Sequence, residues 1–197
     1  QDVICEHRSQ SLILAQKEDH YFYEGAPVCQ DFGNTNFYYC STMMNCIFDC
    51  SYCYLKGMYP SGNLAVFVNL EDYFEELDRL LSVQSMYVCV SYDADLLALE
   101  EWMGYAREWV DYAAKNANLK LEIRTKSARK KMWDDLPVLS NVVYAFTVSP
   151  QKMIVASERN TPSAEARIAC AAEGIRRGFS VRFCFDPILY LPGWKVL

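Results

Sequence analysis

Hydrophobic and polar positions form alternating blocks along the 197-residue chain. Short apolar runs between turn residues predict buried strands, whereas apolar residues that recur every three or four positions predict amphipathic helices. The predicted strands cover residues 36–40, 64–69, 86–90, 119–124, 142–148 and 179–185. The predicted helices cover residues 70–83, 95–117, 129–134 and 163–177.

Repeated alternation of strand and helix favours an α/β fold with a parallel sheet and right-handed crossovers. A barrel of βα units and a doubly wound sheet both fit, and the pattern does not separate them. In either fold the chemistry gathers at the carboxyl ends of the strands. Residues 1–35 show no clear period, so we expect an N-terminal extension followed by one domain over residues 36–197.

Composition and charge limit the function classes. The chain is 52% apolar and 22% charged, as in ordinary globular domains. Its net charge of −6 argues against a general nucleic-acid binder. No apolar run approaches the roughly 18 residues of a membrane span, and no secretory leader is evident, so we expect a cytoplasmic protein without a membrane partner. The chain starts at Gln1 and stops at Leu197, so we expect that both ends are cut and that a C-terminal part is missing.

Three of the nine cysteines are clustered on the loop after the first predicted domain strand. Cys46, Cys50 and Cys53 have the spacing C-x3-C-x2-C. Three thiolates can bind three irons of a [4Fe–4S] cluster, which leaves the fourth iron open for a chelating substrate. Structural zinc usually needs four ligands in paired motifs, and no second pair is present. A non-catalytic iron–sulfur or zinc module is the alternative interpretation.

This spacing and its place in a βα fold resemble the radical S-adenosylmethionine superfamily. The resemblance implies that the open iron binds the amino and carboxylate groups of S-adenosylmethionine. Reduction by an external one-electron donor would then release a 5′-deoxyadenosyl radical, while the protein orients the cofactor and excludes water.

Further segments resemble the spore photoproduct lyase family. They are residues 12–17, 50–55, 68–72, 124–127, 147–150 and 186–194. The resemblance implies a partial parallel (β/α)6-type barrel with the cluster loop after its first strand. It also implies a lyase that repairs a thymine dimer lesion in DNA. A radical enzyme of the same family with another substrate is the alternative, which the acidic net charge motivates.

The resemblance implies roles for three side chains near the cluster. Cys89 matches the cysteine that gives a hydrogen atom to the product radical, although buried strand cysteines are common for packing reasons alone. Tyr52 and Tyr54 match the tyrosines that pass a hydrogen atom back toward the cofactor, although both could simply pack the loop.

Tyr52, Ser91, Lys126 and Thr147 match cofactor contacts of the family. A lysine ammonium suits the carboxylate of S-adenosylmethionine, and hydroxyl groups suit its polar edge. Each of these residues by itself is also typical of a cap or a solvated surface. Residues 124–131 contain five basic side chains, which could bind DNA phosphates or form a solvated basic helix.

Overall fold

The computed structural model describes residues 10–188. The strands are β1 (Leu12–Ala15), β2 (Tyr23–Glu24), β3 (Phe37–Tyr39), β4 (Met43–Met44), β5 (Asp49–Cys50), β6 (Leu64–Phe67), β7 (Met86–Cys89), β8 (Leu119–Thr125), β9 (Val142–Thr147), β10 (Glu158–Arg159) and β11 (Ser180–Cys184). The helices are α1 (Leu55–Met58), α2 (Leu70–Leu81), α3 (Leu96–Met103), α4 (Tyr105–Lys115), α5 (Met132–Asp135), α6 (Gln151–Ser157) and α7 (Ala164–Arg176).

The main sheet confirms the predicted parallel α/β fold. Its strand order is β11-β9-β8-β7-β3-β2, and all neighbours are parallel except β2, which pairs antiparallel with β3 at the edge. Five parallel strands of a partial barrel therefore lie within the described residues, whereas the (β/α)6 expectation counts six. All residues of β7 and β9 are buried, as expected for central parallel strands.

The predicted strand at 64–69 is present as β6, but it lies outside the main sheet. It pairs in parallel with β1 and antiparallel with β4 in a separate three-stranded sheet. Both β1 and β2 belong to the predicted N-terminal extension, for which no strand was expected. Their four and two residues are too short to show a period in the sequence.

The single long helix predicted at 95–117 is wrong, because the structure contains α3 and α4 instead. Gly104 separates them with a φ of +65°, a conformation that glycine adopts without steric cost. The Glu100 side chain then accepts hydrogen bonds from the backbone N–H groups of Ala106 (2.8 Å) and Arg107 (2.9 Å), which satisfies the first turn of α4. The sequence pattern did not reveal this break, because α3 and α4 both bury apolar residues at helical spacing.

The region after β9 differs most from expectation. The seven-residue helix α6 and the short strand β10 were not predicted. The helix predicted at 129–134 is present as the four-residue α5, which begins at Met132 and ends at Asp135. By contrast, α7 begins after Ser163, whose hydroxyl accepts from the backbone N–H of Ala166, so the predicted boundary was nearly correct.

The two faces of the main sheet have different surroundings. One face packs on the helices, where Tyr73 of α2 and Trp109 of α4 are fully buried. The other face is polar, because Glu122 accepts hydrogen bonds there from Tyr87 and Arg182. In the described part of the chain, no helix combines the length and the apolar character that crossing a membrane requires.

Candidate active site

The cysteine loop is joined to the rest of the domain through β5. This strand pairs antiparallel with β10, and Cys50 lies directly opposite Glu158. The Ser51 N–H donates to the Ser157 carbonyl at 2.7 Å, and the Cys53 N–H donates to the Cys50 carbonyl at 3.2 Å. The unpredicted elements after β9 therefore support the loop that carries the three cysteines.

The three cysteines line one cavity of about 300 Å³ at the carboxyl ends of the main strands. Eight of the nine predicted site residues lie in its lining. They are Cys46, Cys50, Cys53, Tyr52, Tyr54, Ser91, Lys126 and Thr147. Cys89, the remaining predicted residue, is not in the lining. Most of the predicted site residues thus lie together at strand ends, where this fold class places active sites.

The cysteines form a donor set that fits a cubane cluster. Burial raises the pKa of Cys46 to about 12 and that of Cys50 to about 11, so both thiols need a nearby cation to become thiolates. Among residues 10–188, no three His, Cys, Asp or Glu side chains are arranged to hold a single metal ion. A cubane cluster makes a different demand, because each thiolate binds a separate iron.

Tyr52 is held by a buried ion pair that sequence reasoning missed. Its hydroxyl donates to Glu158 Oε1 at 2.5 Å, and Arg167 Nη2 donates to Glu158 Oε2, also at 2.5 Å. Both charged side chains are fully buried. Burial alone would raise the pKa of Glu158, but the hydrogen bonds from Tyr52 and Arg167 hold it below its ordinary value.

Arg167 connects this ion pair to the strand end that carries Thr147. Its Nη1 donates to the Thr147 carbonyl at 3.0 Å, and its Nε donates to the Pro162 carbonyl at 3.0 Å. A signal for this role was present in the sequence. Arg167 shares helical spacing with Cys170, Ala171 and Gly174, which are the buried residues of α7, and a charge in such a stripe needs a buried partner.

Tyr54 lies at the open rim of the cavity. Its hydroxyl donates to Asp93 Oδ1 at 3.0 Å and lies 3.2 Å from the Tyr92 carbonyl. Asp93 also accepts a hydrogen bond from the Ser41 hydroxyl. Partial burial and the charge of Asp93 raise the pKa of Tyr54, so this side chain remains a neutral phenol.

Asp95 fixes the backbone beside Lys126. Its carboxylate accepts from the Lys126 N–H (2.6 Å), the Thr125 hydroxyl (2.8 Å) and the Ala98 N–H (3.0 Å). The last of these bonds caps α3. The Lys126 ammonium lies 5.8 Å from the centre of the Tyr52 ring, on the cavity wall. One buried carboxylate therefore positions both a helix and the predicted cofactor lysine.

Cys89 lies beneath the cavity rather than in its wall. It is fully buried at the end of β7, opposite Glu122 of β8. Ser91, two residues further along the chain, lines the cavity, and its Oγ accepts from the Arg124 N–H at 2.5 Å. Burial, together with the charge of Glu122, raises the pKa of Cys89 to about 12, so its thiol stays protonated at neutral pH.

The five basic residues at 124–131 do not form one patch. Arg124 turns inward, where its Nε donates to Glu122 Oε1 at 2.5 Å. Arg129 is paired with Glu101. Lys130 and Lys131 are exposed, and Lys126 points to the cavity. These side chains therefore have different surroundings, and binding of DNA phosphates by this stretch stays a prediction.

The fold and the position of the cysteine loop define a class of protein. A partial parallel barrel with three cysteines on the loop after its first strand is the architecture of radical S-adenosylmethionine proteins. A family model described as spore photoproduct lyase matches residues 35–196. The chain belongs to the spore photoproduct lyase family, as its sequence resemblance predicted.

Individual relatives agree with this assignment. The spore photoproduct lyase of Clostridium acetobutylicum is 24% identical over 156 residues, which cover 76% of this chain and 46% of the relative. Solved structures of a spore photoproduct lyase complexed with dinucleoside spore photoproduct, and of a double mutant with bound AdoMet and the same dinucleoside, match with a TM-score of 0.82. Both are 19% identical, and the match covers 93% of this chain and 53% of theirs. The chain thus spans about half the length of these relatives.

Proposed function

We propose that this chain is the cluster-binding part of a radical S-adenosylmethionine lyase that repairs spore photoproduct in DNA. The observation that carries the proposal is the shared cavity, which brings three cysteines of one loop together with Lys126, Tyr52 and Tyr54. Membership of the spore photoproduct lyase family points to the same activity.

Cys46, Cys50 and Cys53 would hold a [4Fe–4S] cluster. With S-adenosylmethionine bound, the cluster and an external one-electron reductant would supply a 5′-deoxyadenosyl radical. The Lys126 ammonium, fixed at its backbone by Asp95, would bind the cofactor carboxylate, and Thr147 and Ser91 would offer hydroxyl groups to its polar edge. Tyr52 would close the wall beside Lys126 and exclude water.

Cys89 is proposed as the hydrogen-atom donor that quenches the product radical after the dimer separates. A donor of this kind must carry its proton, and burial keeps the Cys89 thiol protonated. Ser91, two residues after this thiol in the chain, lies in the cavity wall. Tyr54 and Tyr52, both neutral phenols, would then return a hydrogen atom toward the cofactor.

The DNA lesion is proposed as substrate because structural relatives are described with dinucleoside spore photoproduct. A different substrate remains the second candidate. Two observations favour keeping it, namely the net charge of −6 and the inward, paired position of Arg124. Both reduce the positive potential that DNA phosphates require.

Anaerobic reconstitution with iron and sulfide tests the proposal in three stages. We expect cluster loading, cleavage of S-adenosylmethionine after reduction, and conversion of synthetic dinucleotide spore photoproduct. Cys50→Ala should lose loading, whereas Cys170→Ala is the matched control, because Cys170 is buried in α7 outside the cavity.

Each stage has an outcome that changes the conclusion. Failure to load iron and sulfide would favour a zinc or other binding module. Loading without cofactor cleavage would indicate a non-catalytic iron–sulfur module. Cofactor cleavage without repair of the dinucleotide would favour the second substrate. Repair with a normal product distribution in Cys89→Ala would remove Cys89 from its proposed role.

A further inference from the structure

A series of four tyrosine rings leads away from the cysteine loop. The rings of Tyr54 and Tyr92 are 6.5 Å apart between centroids. Tyr92 stacks on Tyr39 at 4.3 Å, and Tyr39 stacks on Tyr23 at 5.3 Å. Tyr92 lines the cavity, whereas Tyr23 belongs to the edge strand of the main sheet. Stacked phenols therefore connect the cavity with the edge of the domain.

A thiol meets this series at Tyr92. Cys29 Sγ lies 3.6 Å from the Tyr92 hydroxyl, and either group can donate the hydrogen bond. Cys29 is partly exposed, on the segment between β2 and β3, and it is not part of the cavity lining. One phenol thus contacts the cavity and a solvent-accessible thiol.

The two groups suit the transfer of a hydrogen atom. A phenolic O–H bond and a thiol S–H bond are similar in strength, so exchange of a hydrogen atom between them is nearly balanced. The contact between Tyr92 and Cys29 is already within hydrogen-bonding distance, so transfer needs no rearrangement. Tyr92 remains a phenol because burial, and then its bond with Cys29, raises its pKa.

We propose that Tyr92 and Cys29 are a second hydrogen-atom-transfer pair, which supplies hydrogen to radicals in the cavity. In the first step a cavity radical, such as the phenoxyl of Tyr54, takes the hydrogen atom of the Tyr92 hydroxyl. In the second step the Tyr92 phenoxyl takes the hydrogen atom of the Cys29 thiol. Each step breaks one O–H or S–H bond and forms another, so one proton and one electron move together.

The remaining thiyl radical lies where solvent can reach it. A small soluble thiol can give its own hydrogen atom to Cys29, which restores the pair and leaves the radical on the small molecule. The Tyr54 hydroxyl bonds to Asp93 and to the Tyr92 carbonyl, and neither of these partners is a thiol. Without the pair, a phenoxyl left at Tyr54 would therefore have no thiol bonded to its oxygen. The pair therefore protects the site from radicals that fail to return to the cofactor.

The inference rests on the proposed radical function only for the source of the radical, so the test uses the chain without cluster or cofactor. Photogenerated ruthenium(III) tris-bipyridine oxidises tyrosines, and a nitrone spin trap followed by peptide mapping locates the resulting radicals. We expect trapping at Cys29 in the unchanged chain and a severalfold decrease in Tyr92→Phe, which keeps the ring but has no hydroxyl. Equal trapping at Cys29 in both would overturn the proposal.

Two further variants separate relay from structure. Tyr112→Phe is the matched control, because Tyr112 stacks on Phe74 and donates to Asp78, away from the cavity. It should leave trapping at Cys29 unchanged. Cys29→Ser keeps a hydroxyl donor but cannot give up hydrogen easily, so the tyrosyl radical signal in electron paramagnetic resonance should last severalfold longer. Decay at the unchanged rate would contradict the relay, whatever the repair assay shows.

Discussion

The two tyrosines that flank Cys53 have very different surroundings. Tyr52 donates to Glu158, which together with Arg167 forms a fully buried ion pair. Tyr54 is 54% exposed and donates to Asp93 at the rim. Two positions of one loop are therefore held in different ways. We call the buried contact of Tyr52 with Glu158 and Arg167 the wall, and the exposed contact of Tyr54 with Asp93 the rim. We infer that the Tyr52 wall determines loop geometry, whereas the Tyr54 rim can exchange partners.

The largest expected effect comes from breaking the ion pair behind Tyr52. Arg167→Ala leaves the Glu158 carboxylate buried without its partner, which costs about 3–5 kcal/mol in the free energy of unfolding. Denaturant unfolding measures this loss. Arg79→Ala is the control, because its pair with Glu76 on α2 is exposed and should contribute far less. Equal losses in the two variants would show that the buried pair contributes no more to stability than the exposed one.

The second comparison removes one hydroxyl from each side. Tyr52→Phe leaves Glu158 with one hydrogen bond fewer and should lower the free energy of unfolding by roughly 1.5–3 kcal/mol, the scale of a hydrogen bond to a charged group. Tyr54→Phe should cost less than about 1 kcal/mol, because water can replace its hydroxyl. Hydrogen exchange at the Ser51 amide should accelerate in Tyr52→Phe only. The opposite order would reverse the assignment of wall and rim.

Acid should weaken the wall before it affects the rim. The pKa of Glu158 is lower in the folded chain than its ordinary value of 4.5, so the unfolded chain binds this proton more readily. Its contribution is therefore complete above pH 4.5 and is lost as the pH falls through the folded pKa. The stability difference between the unchanged chain and Glu158→Gln should shrink over that range. A difference independent of pH would contradict the charge assigned to Glu158.

The smallest effect is expected at the rim itself. Asp93→Asn keeps the Oδ1 acceptor for Tyr54, and the Ser41 hydroxyl can turn to accept from the new amide N–H, so the free energy of unfolding should change little. The loss of charge should still lower the pKa of Tyr54, because Asp93 contributes to raising it. Ultraviolet titration of the phenols, compared with Asp93→Asn in a Tyr54→Phe background, measures this shift. No change in the titration would show that Asp93 does not hold Tyr54 in solution.

Much of the fold was predictable from the sequence, because buried strands and amphipathic helices have local signatures. The spacing of Cys46, Cys50 and Cys53 is likewise a local feature, and it indicated one loop with three donors. The break at Gly104 was missed because both α3 and α4 bury apolar residues, so the period continues across it. The short strands β1, β2 and β10 were missed because two to four residues cannot establish a pattern.

The sequence by itself determined the element types, the cysteine loop and the family resemblance, since each depends on residues close together in the chain. Only the tertiary structure decided which side chains support that loop. Glu158 reaches Tyr52 across 106 positions, and Cys29 reaches Tyr92 across 63. Contacts over such separations arise from strand order and crossovers, so no local pattern can encode them. The tertiary structure also decided the position of Cys89. Successive side chains of β7 point to opposite faces of the sheet, and only the assembled sheet determines that the face of Cys89 lies beneath the cavity.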